Sequence, residues 1–208
     1  MLILKKIAVT GGMYSGKTTA CKFLESLGAY LLYSDNVVHH ILNYNTQCQA
    51  KLRHLLGSEI IVDGKCDRPK VADIIFSNYD LLEATEKIIH PLLLEEITKQ
   101  YEILKQSNKY SCFCVEMPLV QEIGFSSYFD TVVAISSNEE SITERMSHGT
   151  KSQKEFEKRQ KDYRRRMHRQ YSGAEKAQSA EININNNGSI EELKTELLEL
   201  WPHLITPS

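Results

Sequence analysis

Residues 11–18 read Gly-Gly-Met-Tyr-Ser-Gly-Lys-Thr, and this octapeptide constrains the fold more than any other stretch. The spacing G-x-x-x-x-G-K-S/T has a use only where a strand ends and a helix begins. Both neighbours are present. Lys6 to Thr10 (KIAVT) is a short β-rich run, and Ser15 to Leu27 places Ala20, Phe23, Leu24 and Leu27 at helical spacing. Gly28 then stops the helix, and Ala29 to Tyr33 (AYLLY) reads as a second strand entering Ser34-Asp35. Strand, helix, strand without a hairpin implies a parallel pairing, and therefore an α/β protein with a parallel sheet flanked by helices.

Gly11 and Gly16 let the backbone curve so that its N–H groups point inward at phosphate oxygens, and the helix N-terminus adds positive potential. Gly12, Tyr14, Ser15, Gly16, Lys17, Thr18 and Thr19 are therefore expected around a nucleoside triphosphate. Lys17 supplies a point charge to the β- and γ-phosphates, and the Thr18 hydroxyl is suited to Mg²⁺.

Beyond Asn36 the pattern to about Lys109 is mostly helical, with few strand signals. Asp63-Gly64 predicts a turn, Pro69 a helix start, and Thr85 to Gln106 a long helix that Pro91 should kink or break. Tyr110 to Val115 and Thr131 to Ile135 return to β-rich runs, and Ser136-Ser137 predicts an N-cap for a helix over Glu139 to Met146. Glu181 to Asn185 reads as a last strand, Asn186 to Gly188 as a turn, and Ser189 to Leu200 as an amphipathic helix. One domain is expected, with 1–35, 110–140 and 181–203 as nucleotide-binding core, 36–109 as a helical substrate-binding region, and 145–170 as a basic lid.

The lid expectation rests on charge. Although the 208 residues carry a formal net charge of -2, Arg145 to Arg169 holds ten Lys or Arg against Glu155, Glu157 and Asp162 and has almost no apolar face. Such a block reads either as a polyanion contact or as a solvated, charge-laced helix. The five cysteines form no C-x-x-C pair, which argues for reduced, buried thiols rather than a disulfide or zinc framework. Apolar runs fall far short of the roughly 20 residues of a membrane span, and the N-terminus lacks the basic region of a secretory signal. A cytoplasmic protein without a membrane partner is expected.

Two carboxylates stand where the sheet's carboxyl edge would place them. Asp35, just past the second strand, should face the crevice of the phosphate loop and take a proton from an acceptor hydroxyl, or else cap the helix that follows. Glu116, at the end of the third strand, is suited to holding a metal-bound water, or is an ordinary polar strand end. The loop leaves open a kinase for any small hydroxyl or phosphate acceptor. A nucleic-acid-binding ATPase is the other class, but aromatics in or beside the basic block that could stack on bases are few, Tyr163 and Tyr171 among them, so no nucleic-acid partner is expected.

TGGMYSGKT, LLYSDNVVHHIL, DGKCDRPKVADIIFSN, KIIHPLL, EMPLVQE and NNGSIEEL, in that order, together resemble the dephospho-coenzyme A kinase family. The resemblance implies a P-loop NTPase fold with a helical substrate-binding insertion and a lid. It also implies transfer of the ATP γ-phosphate to the ribose 3′-hydroxyl of dephospho-coenzyme A, with Mg²⁺, as the last step of coenzyme A synthesis. Asp35 matches the second carboxylate of the family's Asp-x-Asp and would be the base, while Tyr33 stands at the first. Arg68, His90, Pro118, Leu119, Glu122 and Arg166 match substrate-side motif positions. Arg145 matches the arginine at the start of the lid, with a catalytic and nucleotide-binding role, and Asn187 belongs to the Asn-Gly before the last helix. Gly149 replaces a second lid arginine.

Overall fold

The computed structural model describes residues 4–107, 109–167 and 170–206, except the side chain of Arg166. In chain order the elements are β1 (Lys5–Thr10), α1 (Lys17–Ser26), β2 (Ala29–Tyr33), α2 (Ser34–Tyr44), α3 (Thr46–Leu56), β3 (Ile61–Val62), β4 (Lys65–Cys66), α4 (Arg68–Phe76), α5 (Tyr79–Leu104), β5 (Cys112–Glu116), β6 (Thr131–Ser136), α6 (Glu139–Ser147), α7 (Gln153–Met167), α8 (Gly173–Ser179), β7 (Ile182–Asn185) and α9 (Ile190–Ile205). They form two compact units: a helical unit, Tyr33–Gln106, and a sheet unit built from the chain on either side of it.

The sheet unit carries five strands in the order β2-β5-β1-β6-β7. β1 pairs in parallel with β5, Ile7 opposite Cys114, and with β6, Val9 opposite Val133; β6 pairs in parallel with β7, Ile135 opposite Ile184. Strands covered on both faces lose polar alternation, and Cys112 to Val115 is accordingly buried without interruption. Ile7, Val9, Cys112, Cys114, Val133, Ile135 and Ile184 meet Ala20, Cys21 and Leu24 of α1 and Leu193, Leu197 and Leu204 of α9. Each large aliphatic side chain buried there stabilises the fold by about 1.5–3 kcal/mol. Cys112 and Cys114 share that face, as strand alternation predicts, and all five cysteines are free and buried. α9 starts from a capping box between Ser189 and Glu192 and runs past Pro202 to Ile205, one turn beyond the expected end, where Leu204 is fully buried.

In the helical unit α5 packs on α2, α3 and α4. It begins at Tyr79 rather than Thr85, because the Asn78 side chain accepts hydrogen bonds from Asp80 N at 3.0 Å and Leu81 N at 3.2 Å. Nor does Pro91 break it. Leu82 and Thr85 before the proline and Leu93 and Ile97 after it are buried, which offsets the roughly 3 kcal/mol that an interior proline costs. The stretch is also less purely helical than its pattern suggests, since β3 and β4 form an antiparallel hairpin. Two-residue strands are too short to show a period. The predicted turn lies between them, with Asp63 at φ 49° and Gly64 at φ 75°, the left-handed pair that a tight hairpin needs.

Two other expectations change. Asn138, not Ser136 or Ser137, caps α6, its side chain accepting from Ser141 N at 2.8 Å. Helix α8 was not anticipated at all, although its Ser172/Glu175 capping box stands in the sequence. Among the described residues, no helix is long and apolar enough to cross a membrane.

Candidate active site

The loop between β1 and α1 is held in a shape that glycine permits. Gly11 (φ 146°) and Gly16 (φ 99°) have positive φ, and a Cβ there would collide with the Ile135 carbonyl and the Asn186 amide respectively. Lys17, 9% exposed, folds back across the loop and donates to the Gly12 carbonyl at 2.7 Å. At the start of α1, Thr18 Oγ1 donates to Glu116 Oε1 at 2.9 Å, while Glu116 Oε2 is buried with no partner among the described residues. A hydroxyl and a carboxylate with an unspent oxygen form a hard-donor pair that fits Mg²⁺, which takes few protein ligands and completes its shell with water and phosphate. No cluster of three or more metal-ligating side chains occurs among the described residues.

Behind the loop, three side chains brace its carbonyls. Arg145 donates through one nitrogen to Tyr14 O (3.3 Å), Ser15 O (3.4 Å) and Ser137 Oγ (2.7 Å), and through the other to Asn186 O (2.6 Å). Ser137 Oγ in turn donates to Asn186 O at 2.6 Å, and the Asn186 amide donates to Ser15 O at 2.8 Å. Burial lowers the Arg145 guanidinium from its ordinary pKa, with Glu144 opposing. The sequence offers Ser137 only as a helix cap and Asn186 only as the start of a turn; a site reading attaches there only to the Asn-Gly at 187–188. Asn187 Oδ1 accepts from Asn138 N at 2.7 Å.

Tyr14, Gly16 to Thr19, Arg145 and Asn187 line one cavity of about 600 Å³, together with His148 and Ile190. That volume suits a nucleotide-sized ligand. The expected nucleotide-side residues are thus brought together, Gly12 and Ser15 entering through the loop they share.

Pro118, Leu119 and Glu122 follow β5 in a loop that a buried lysine organises. Lys176 Nζ donates to Pro118 O and to Glu122 Oε1, both at 2.6 Å, and Glu122 Oε1 also accepts from Tyr171 N at 2.8 Å. Burial lowers the Lys176 pKa, with Glu122 opposing. Sequence reasoning missed Lys176 because it lies in no motif and on the unanticipated α8.

Asp35, Arg68 and His90 fall in the helical unit. The cap position of α2 is Tyr33, and Asp35 is the exposed second residue of the helix, so Asp35 is not the N-cap. Arg68 opens α4 with a guanidinium nitrogen 3.2 Å from His39 Nδ1. Burial lowers the His90 pKa, with Glu86 opposing.

Helix α7 carries the basic segment. Arg159 donates to Met146 O at 3.1 Å and His148 O at 2.9 Å, while Arg164 and Arg165 are exposed. The Arg166 side chain and Arg169 lie outside the described residues.

The family model described as dephospho-CoA kinase matches residues 5–192. A dephospho-CoA kinase of Protochlamydia amoebophila is 38% identical over 206 residues, 98% of each chain; one of Chlamydia felis is 37% identical, over 97% of this chain and 96% of that one. A Thermus thermophilus crystal structure superposes with a TM-score of 0.76 at 25% identity, covering 98% of this chain and 100% of that one. Loop, sheet order and full-length similarity agree on a P-loop kinase fold, and the chain belongs to the dephospho-CoA kinase family.

Proposed function

We propose that the protein transfers the γ-phosphoryl group of ATP to the 3′-hydroxyl of the ribose of dephospho-coenzyme A, giving coenzyme A and ADP in the last step of coenzyme A synthesis. The observation that carries this reading is the Thr18–Glu116 oxygen pair at 2.9 Å, one residue from the buried Lys17, within a chain that matches the family over nearly its whole length.

Phosphoryl transfer calls for positioning and charge neutralisation more than covalent chemistry by the protein. Loop N–H groups of Gly12 to Thr19 hold the phosphates, and Lys17 adds a full charge toward the β- and γ-oxygens. Thr18 and Glu116 would hold Mg²⁺, which when bound neutralises charge on the phosphates. Arg145 adds positive charge to the cavity while bracing the loop carbonyls, and Asn187 borders the same cavity. Asp35 accepts the proton of the ribose 3′-hydroxyl as that oxygen attacks phosphorus and the bond to the ADP oxygen breaks. Arg68, His90, Pro118, Leu119 and Glu122 form the acceptor side, and 145–170, with Arg166, serves as the lid. The region 36–109 binds the acceptor, and the protein works in the cytoplasm without membrane or nucleic acid.

The test is to incubate the purified protein with Mg-ATP and dephospho-coenzyme A and detect coenzyme A by mass. Asp35→Asn should keep acceptor Kd within about twofold while kcat falls on the order of a hundredfold or more. No coenzyme A from the wild-type protein, beside an active control kinase, would reject the reading. An Asp35→Asn variant with wild-type kcat would reject the base.

A further inference from the structure

Among the described residues, only Tyr14 and Asp63 combine a side chain with positive φ. Asp63 sits in a hairpin turn that demands it. Tyr14, at φ 61° in the middle of the phosphate loop, has no short polar side chain to compensate the left-handed backbone, and glycine would adopt the same conformation freely. Backbone strain at a ligand-binding loop points to a use for the side chain that bears it.

The ring shows what that use is. Its centroid lies 6.4 Å from the ring of Tyr163, the planes tilted by 48°, within the range of attractive aromatic pairs. Tyr163 is on α7, where Lys154, Glu157, Lys158, Lys161, Arg164 and Arg165 are exposed while Phe156 and Tyr163 are half-buried. Seven residues apart, these two share a helix face. A helix so poor in apolar side chains has few means of staying against a sheet unit, and Tyr14 supplies an aromatic contact from within the loop. Burial, with Glu139 nearby, raises the Tyr163 pKa.

We propose that Tyr14 is a positioning residue: the phosphate loop carries its ring on a left-handed backbone so that it docks Tyr163 and seats the basic helix α7 beside the nucleotide cavity before nucleotide binds. The Arg145 bond to the Tyr14 carbonyl at 3.3 Å fixes the backbone from which the ring projects. The proposal rests on residues 11–18 being a phosphate loop, but its test needs no acceptor.

Amide exchange across 153–167 is measured in the nucleotide-free, full-length protein for wild type, Tyr14→Phe, Tyr14→Gly, Tyr163→Ala and the Tyr14→Gly/Tyr163→Ala double variant, with Tm and the Kd for Mg-ATP. Tyr14→Gly should leave Tm unchanged or raised, speed exchange in α7 at least fivefold, and weaken Mg-ATP binding severalfold. Tyr14→Phe should keep wild-type exchange in α7, because the ring and not the hydroxyl does the docking. The double variant should exchange no faster than the faster single variant. Unchanged α7 exchange in Tyr14→Gly, or effects of the two substitutions that multiply, would overturn the proposal. So would a Tyr14→Gly protein with lowered Tm and faster exchange throughout, which would make Tyr14 a general stabiliser. Should wild type form no coenzyme A while the exchange pattern holds, the proposed function fails and the Tyr14–Tyr163 contact stands.

Discussion

Lys176 and Glu122 form a buried ion pair, Nζ to Oε1 at 2.6 Å, with side chains 1% and 10% exposed. The lysine also bonds Pro118 O, which accepts from Thr10 Oγ1 at 3.1 Å, so the pair ties the last residue of β1 to the loop after β5. Removing one partner leaves a buried charge, whereas removing both can be nearly neutral. Lys176→Met should therefore lose about 3–5 kcal/mol, and adding Glu122→Gln should restore most of it. Urea melts of the two single variants and the double variant measure this.

Lys17→Ala should keep the fold but lower kcat by several orders of magnitude, because the lost charge acts on the phosphates in the transition state. Its ammonium bonds a carbonyl of its own loop, so the far-ultraviolet dichroism should match wild type. Steady-state rates on the same sample give the second half of the comparison.

Glu116→Gln keeps an oxygen to accept the Thr18 hydroxyl and removes the negative charge. If Glu116 serves magnesium, the Mg²⁺ concentration for half-maximal rate should rise by about tenfold, of the order that one ligand interaction contributes to metal affinity. Tm should not fall, since the orphaned buried Oε2 becomes an uncharged amide group. Rate against Mg²⁺ at fixed ATP, with a melt alongside, separates the two effects.

His90 predicts a pH dependence of stability. Its folded pKa lies below the ordinary 6.5, chiefly through burial, so between the two values the unfolded chain binds more protons and stability rises with pH. Acidification from pH 7 should thus lower Tm, starting near pH 6.5, with the loss complete below the folded pKa. His90→Gln should flatten that segment of the Tm–pH curve, and an unchanged slope would assign it elsewhere.

Where one local rule decided an element, its residues announced it. The loop at 11–18 had its glycines, β2 ended at Tyr33 as its pattern implied, and the Asp63-Gly64 turn came from its residue pair. At Pro91 tertiary packing outweighs the local rule, because buried side chains on both sides keep α5 intact; at Asn78, Asn138 and Ser172 the deciding caps are themselves local. In the candidate site, the phosphate-loop residues are legible because they are contiguous in sequence, and the fold brings them into one cavity with Arg145 and Asn187. Of the braces only Arg145 is named, by its motif; the bracing itself, and Asn186 and Lys176, are not, because these side chains act through backbone carbonyls far along the chain, and a carbonyl carries no residue-type signature. Arg68 and His90 come from the family motifs, and Asp35 from both its motif and its place after the second strand.

The strand order has a consequence for how the chain emerges from the ribosome. β1 lies between β5 and β6, so the first strand made has neither neighbour until Cys112–Glu116 and Thr131–Ser136 have been translated. Meanwhile Tyr33–Gln106, whose α2, α3 and α4 pack on its own α5, is complete before either arrives. Its helices can collapse locally while Ile7, Ala8 and Val9 wait uncovered, a long-range closure of the slow kind. A chain halted once Gln106 has cleared the ribosome's exit tunnel, with Cys112–Glu116 and Thr131–Ser136 still inside it, would therefore carry a helical unit ready to fold and an apolar strand without a partner, the type of nascent species that needs a chaperone or aggregates.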